Sequence, residues 1–173
     1  MRAVSVRPAG ASERPLIEGL AQFYIYDFSE MEPAASDGFE FDARGGFGPL
    51  PDMDDYWRAE GWRALVIRVG DRPAGFALIN NRSHRGGGVE HNMGEFWVAR
   101  KHRRRGVAAE AVRQVLAQYP GRWEVAVVER NMAAKAFWPR AIAAAPNVAE
   151  LVRLEGDGEH WRGPIWSFLA REL

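Results

Sequence analysis

Gly94-Glu95-Phe96-Trp97-Val98-Ala99-Arg100-Lys101-His102-Arg103-Arg104-Arg105-Gly106-Val107-Ala108 is the stretch whose reading decides the fold. Its first five residues read as the end of a strand. From Val107 to Gln118 apolar residues recur at helical spacing, with Val107, Ala108, Ala111, Val112, Val115 and Leu116 on one face. Between them lies a basic turn containing a glycine. The first turn of a helix offers unpaired N–H groups and the positive end of the dipole, so a basic turn that opens a helix is a place to hold phosphates. Glycine at 106 lets an anion approach the backbone where a Cβ would hinder it.

Working outward, the chain alternates elements and turns. Ala3 to Arg7 reads as a first strand, and Ser12 as the N-cap of a helix carrying Leu16, Ile17, Leu20, Phe23, Tyr24 and Phe28 at helical spacing. From Glu32 to Asp55 the chain is acidic and rich in glycine and proline. It reads as a long loop with a short helix near Asp52 to Arg58. Ala64 to Val69, Ala74 to Asn80 and Val89 to Val98 read as a meander, with turns at Gly70-Asp71-Arg72-Pro73 and Gly86-Gly87-Gly88. After the helix, Tyr119-Pro120-Gly121 is a stop and Trp123 to Val128 a buried strand. Asn131 caps a further helix with Ala133, Ala134, Phe137 and Trp138 facing inward, and Pro139 is expected to end or kink it. Val148 to Leu154 and Ile165 to Leu169 close the chain as a pair of strands around Glu155-Gly156-Asp157-Gly158. The order predicts an α/β (α+β) domain with a mixed sheet and packed helices. A helix between the strands ending near Val98 and Val128 implies a parallel, right-handed crossover. Ligands gather at the carboxyl ends of such strands, where the basic turn lies.

With 173 residues the chain is expected to be one domain, residues 1–173. It has no cysteine, which excludes disulfides, thiolate metal sites and a cysteine nucleophile; no metal site is expected. No segment approaches the ~20 apolar residues of a membrane span, and Met1 to Pro8 has no apolar run of a signal peptide. The expectation is a cytoplasmic protein without a membrane. The 23 basic and 23 acidic residues cancel but are unevenly placed. Asp27, Glu30, Glu32, Asp37, Glu40, Asp42, Asp52, Asp54 and Asp55 crowd one region with only Arg44 among them; Arg100, Lys101, Arg103, Arg104 and Arg105 crowd another. Opposed patches suggest one site for anions and one for cations, against the alternative of two solvated loops.

Arg103-x-x-Gly106-x-Ala108 after a strand, then a helix, a strand and Asn131-x-x-Ala134-x-x-Phe137-Trp138, resembles the GNAT superfamily of acetyl-CoA-dependent N-acetyltransferases. The dense matches lie between about Phe96 and Trp138, and the first ~60 residues agree in element order. The resemblance implies a mixed, mostly antiparallel sheet of about six to seven strands with a central splayed parallel pair, flanked by helices. It implies acetyl-CoA as cofactor, with the N–H groups of Arg104, Arg105, Gly106, Val107, Ala108 and Ala109 on the pyrophosphate and arginine side chains, Arg103 included, reaching phosphates. Phe96, Trp97, Val98 and Arg100 are then the positions beside the pantetheine arm, Val98 doubling as an oxyanion donor through its N–H. Asn131, Ala134, Phe137 and Trp138 face the arm from the other side; Asn131 reads equally as an N-cap.

Acetyl transfer needs a neutral amine, although a free alkylamine has a pKa of about 10.4, so a base helps. Glu95, three residues before Val98, is the candidate general base; the alternative is a charge paired to an arginine. Glu90 and His91 are weaker candidates further back. The family's usual tyrosine proton donor falls at Trp138, whose indole is no useful acid; Tyr24 and Tyr26 are possible substitutes. Tyr24, Asp27 and Phe28 are expected at the acceptor, and the acidic region with its aromatics suggests a small cationic amine or a peptide. A monomer or homodimer without nucleic acid is expected. A non-catalytic acyl-CoA sensor, or a basic-patch nucleic-acid module, remains as the alternative.

Overall fold

A computed structural model describes residues 3–173. Seven strands form one sheet in the order β1-β2-β3-β4-β5-β7-β6: β1 Val4–Pro8, β2 Arg63–Val69, β3 Arg72–Arg82, β4 Gly88–Val98, β5 Gly121–Ala126, β6 Val148–Glu155 and β7 Pro164–Ala170. β4 and β5 are parallel and every other neighbour pair is antiparallel. The helices are α1 Arg14–Ser29, α2 Val107–Gln118 and α3 Met132–Ala143. α2 makes the crossover from β4 to β5.

The helices divide between the two faces. Val107, Ala111, Val112, Val115 and Leu116 of α2, with Trp138, Ala141 and Ile142 of α3, bury against Ile67, Ile79, Met93, Trp123, Val125 and Phe168. On the other face Ile17, Ala21 and Ile25 of α1 bury against Val66, Phe76, Leu78 and Trp97, joined by Met53 and Tyr56 of a short 3-10 turn at Met53–Trp57. Removing this apolar area from water is the main force holding the layers together. The outer edge of β1 is closed by α2. Gln114 Oε1 accepts from Val6 N at 3.0 Å and its Nε2 donates to Val4 O at 2.9 Å, so the edge is not left bare.

Four local expectations are corrected. Ser12 does not cap α1. It lies in a 3-10 turn at Ala11–Glu13, and Glu13 instead accepts the Gly10 N–H at 3.0 Å through one oxygen and pairs with Arg68 at 2.6 Å through the other. β5 spans Gly121–Ala126 rather than Trp123 to Val128, although the Val127 N–H still donates in register to Pro164 O of β7 at 3.0 Å. α3 does not end at Pro139 but runs on to Ala143, anchored by Trp138, Ala141 and Ile142 in the core; tertiary burial outweighs one lost backbone bond. Ala133 is exposed, facing away from the core that Trp138 enters.

β4 carries a bulge. Leu78 of β3 pairs with Glu95, but the next residue, Ile79, pairs with Met93, leaving Gly94 as the extra residue. The bulge reverses the alternation. Met93 faces the α2/α3 core, whereas Glu95 and Trp97 face α1. Only glycine fits, since a Cβ at 94 would stand 2.7 Å from both Asn80 Nδ2 and the Tyr56 hydroxyl.

Candidate active site

The parallel pair of strands is joined for two residue pairs only, His91 with Trp123 and Asn92 with Glu124. Beyond them β4 continues to Val98 without β5. Ala99 N donates to Ala74 O at 2.8 Å, on the β3 side. By the alternation of an antiparallel ladder, the N–H and C=O of Val98 and of Phe96 point the other way, into the gap beside β5. The result is a wedge-shaped opening at the carboxyl ends of two parallel strands.

The basic turn stands at the mouth of this wedge. After a 3-10 turn at Arg100–His102, Arg104 and Gly106 take left-handed conformations, φ 57° and 77°. The first helical bond runs from Glu110 N to Gly106 O at 3.0 Å. Among the described residues no hydrogen bond uses the N–H groups of residues 104–109. Nothing lies within 4 Å of where a Cβ of Gly106 would stand, so the ground in front of these donors is open. The side chains of Arg104 and Arg105 are exposed and make no ion pair among the described residues. These unused donors, a helix dipole and two unpaired guanidinium groups fit a pyrophosphate.

Arg103 is used differently from the expectation of a phosphate ligand. Its Nε donates to Val98 O at 2.7 Å and its guanidinium pairs with Asp27 of α1. Asp27 also accepts from Trp97 Nε1 at 2.8 Å and Arg100 Nε at 2.9 Å. Trp97, placed beside the coenzyme arm by sequence, thus turns its indole to the α1 face. These donors hold the Asp27 carboxyl below the usual range, even though burial pushes it upward. Its charge is therefore already matched within the protein, and the α1 helix is tied to the loop that leads into the basic turn.

Glu95 sits beneath α1. The hydroxyl of Tyr24 donates to its Oε2, and Tyr24 in turn packs on Phe28 at 4.7 Å and edge-on to Phe76 at 5.9 Å. Among the described residues no arginine pairs with Glu95, so the paired-charge alternative does not hold. Burial pushes its carboxyl up to about 7, with the Tyr24 bond opposing the rise. Behind it, Asn92 Nδ2 donates to Asn80 Oδ1 and Asn80 Nδ2 donates to the Tyr56 hydroxyl, each at 3.0 Å. Burial raises Tyr24 well above the usual phenol range and Tyr56 to about 12, so both remain protonated donors at neutral pH. Tyr56, Asn80 and Asn92 are not among the residues that the sequence singles out. Gly94 in mid-strand is the signal for the bulge that gathers them.

Across the wedge, Asn131 is an N-cap: its Oδ1 accepts from Ala134 N at 2.9 Å. Trp138 is buried, packed on Phe96 at 5.2 Å and Phe137 at 5.3 Å. Tyr26 is exposed, away from Glu95. His91 and Glu90 lie outside the wedge. The His91 ring packs on Trp123 at 4.9 Å with its Nε2 at 3.0 Å from Pro120 O, and burial lowers its pKa; Glu90 accepts the Arg122 N–H at 2.7 Å. A depression of about 570 Å³ lined by Glu90, Arg122, Glu124 and Ser167 opens at the amino-terminal ends of β4 and β5, and neither Glu95 nor the basic turn borders it.

The acidic region looks different in three dimensions. Arginines distant in sequence reach it: Arg14 pairs with Asp54, Arg82 with Asp52 and Asp55, Arg130 with Glu32, and Arg100 and Arg103 with Asp27. Asp42 is used in a turn, accepting from Arg44 N and Gly46 N. Most of the apparent acidic patch is thereby neutralised.

The sequence profile of the Acetyltransferase (GNAT) family matches residues 28–142. The chain belongs to this family, whose coenzyme is acetyl-CoA, and it is an acetyltransferase. A comparison with curated protein sequences finds no match. Among solved structures, an acetyltransferase from Thermus thermophilus is similar at TM-score 0.64 and 15% identity, over 97% of this chain and 98% of that one. A spermidine N-acetyltransferase from Vibrio cholerae, in complex with CoA and spermine, is similar at TM-score 0.55 and 13% identity, over 96% and 95%. The ribosomal-protein-S18-alanine N-acetyltransferase from Escherichia coli is similar at 0.55 and 10% identity, over 99% and 96%. At these identities the likeness is one of fold.

Proposed function

We propose that the chain transfers an acetyl group from acetyl-CoA to the primary amine of a small cationic acceptor or a peptide, directly, within a ternary complex. The observation that carries this reading is the edge of β4 beyond Asn92, where the N–H groups of Phe96 and Val98 have no partner among the described residues. It runs from Glu95, a carboxylate with no cationic partner among the described residues, to the open N–H donors at residues 104–109. Bound acetyl-CoA supplies the activated acetyl group as a thioester. The turn would hold the pyrophosphate, with the N–H groups of Phe96 and Val98 toward the arm. The Val98 N–H would supply a donor for the thioester oxygen. Glu95 accepts the proton of the attacking amine. A carboxyl near 7 is matched to that task at neutral pH, where an ordinary glutamate would be a far weaker base. Direct transfer is supported by the absence of cysteine, which leaves no thiol to carry the acetyl group. An amine acceptor is supported by the printed acceptors of two fold relatives, spermidine and a ribosomal protein's alanine. With the acidic loop largely neutralised, the preference for a cation rests on Glu95 and on Asp37 and Glu40, exposed and unpaired among the described residues.

The test uses the same lack of cysteine. Thiol release from acetyl-CoA across a panel of amines reports turnover without background from the protein. Calorimetry should show coenzyme binding, and Gly106→Val should weaken it by about tenfold or more, or ~1.4 kcal/mol. A valine would be strained at φ 77° and would fill the open approach. Unchanged affinity in that variant would remove the turn from the site. Binding without turnover on any amine would favour the acyl-CoA sensor instead.

A further inference from the structure

Among the described residues the Glu95 carboxylate has a single hydrogen-bond partner. Neutral groups face it: Tyr24 from α1, and Tyr56 from the turn at Met53–Trp57, whose hydroxyl accepts from Asn80 of β3. Cations on that face are engaged elsewhere, Arg82 with Asp52 and Asp55 and Arg103 with Asp27. Glu95 Oε2 accepts the Tyr24 hydroxyl. Oε1 has no protein partner among the described residues and is not one of the sealed polar atoms. The Tyr24 ring is held in place by Phe28 and Phe76, so its hydroxyl cannot swing away freely.

We propose that Tyr24 is a positioning residue for Glu95, fixing one carboxylate oxygen and favouring the anion so that the other oxygen is presented, unbonded, to the amine. The inference rests on the reading of Glu95 as the base. A neutral donor suits this task. An arginine would stabilise the anion so strongly that it would scarcely take a proton, and with no donor at all burial would keep the carboxyl protonated. The proton of the amine passes to Oε1 as the N–C bond forms. The C–S bond then breaks with its electron pair on sulfur, and solvent protonates the thiolate. Tyr24 keeps its own proton throughout, so no acid is required at position 138.

The test begins without substrate. In protein labelled with 13C at glutamate carboxyls, Glu95→Gln identifies the Glu95 resonance by its loss, and the wild-type carboxyl should titrate near 7. Tyr24→Phe keeps the ring and removes the donor. It should raise the midpoint by about one unit, a tenfold change in proton affinity. Replacing tyrosine with 3-fluorotyrosine strengthens the donor and should move the midpoint down. In turnover, the acidic limb of kcat/KM should move to higher pH in Tyr24→Phe by the same amount. An unmoved midpoint would overturn the proposal, leaving Tyr24 a packing residue. Should the midpoint move as expected while the wild-type protein acetylates no amine, the acetyltransfer reading fails instead, and the two failures are distinct.

Discussion

The smallest residue near the site constrains it most tightly. Because the Cβ of any other residue at 94 would meet Asn80 and Tyr56 at 2.7 Å, Gly94→Ala must push those groups apart or flatten the bulge. The expected cost is about 1–3 kcal/mol of stability, read as a lower urea midpoint. Acetylation should fall with it, because Glu95 loses its orientation. Glu95 also leaves a signature in stability. Its folded pKa is raised, so the folded state prefers the protonated form, and this contribution is fully present below about 4.5 and lost as pH rises through about 7. Glu95→Gln removes that dependence. At pH 8 the variant should be more stable than the wild type by roughly 1–3 kcal/mol, given ~1.4 kcal/mol per unit, and near parity at pH 4. Equal stability of the two proteins at both pH values would contradict a buried, destabilised carboxylate. The placement of Glu95 on a strand before the basic turn was legible. Its partner was not, because Tyr24 lies 71 residues away and only the packing of α1 brings it near.

At the scale of elements, α1 is bound to the strand–turn unit through Asp27, whose carboxylate serves Trp97, Arg100 and Arg103 together. Asp27→Ala would leave an indole N–H and two guanidinium groups without their acceptor. A loss of about 1–3 kcal/mol is expected, since the group is only partly exposed. A thermal midpoint unchanged from wild type would show that the three contacts are individually slack. Asn131→Ala should remove the N-cap of α3 at a cost of about 0.5–2 kcal/mol, with a smaller effect on coenzyme affinity. The identity and order of all three helices and seven strands were readable from apolar spacing and from turn residues. Their ends were less so. Ser12 has the chemistry of a cap but falls inside a 3-10 turn, and Pro139 is a helix breaker that its buried neighbours overrule. Charge was the least legible feature. The run from Asp27 to Asp55 reads as an unrelieved acidic patch only because its arginine partners, at 14, 82, 100, 103 and 130, lie in other elements.

For the molecule as a whole, the sheet is continuous in order but not in bonding, since β4 and β5 share two residue pairs. Register and splay are set by long-range pairing and cannot be read from local pattern; the parallel crossover itself could be inferred from the strand–helix–strand order. Coenzyme A, as a ligand of the native state alone, should stabilise the fold. At 100 times its dissociation constant the gain is about 2.7 kcal/mol, visible as a concentration-dependent rise in the thermal midpoint. The same opening has a consequence for amide hydrogen exchange. In most sheets the middle strand exchanges slowest and the outer strands fastest. Here Phe96 and Val98 sit in the fourth of seven strands yet aim their N–H groups at no acceptor strand. Without ligand they should exchange like residues of a sheet edge, while their neighbour Trp97, bonded to β3, stays protected. From Glu95 to Ala99, slow and fast amides should thus alternate along one strand.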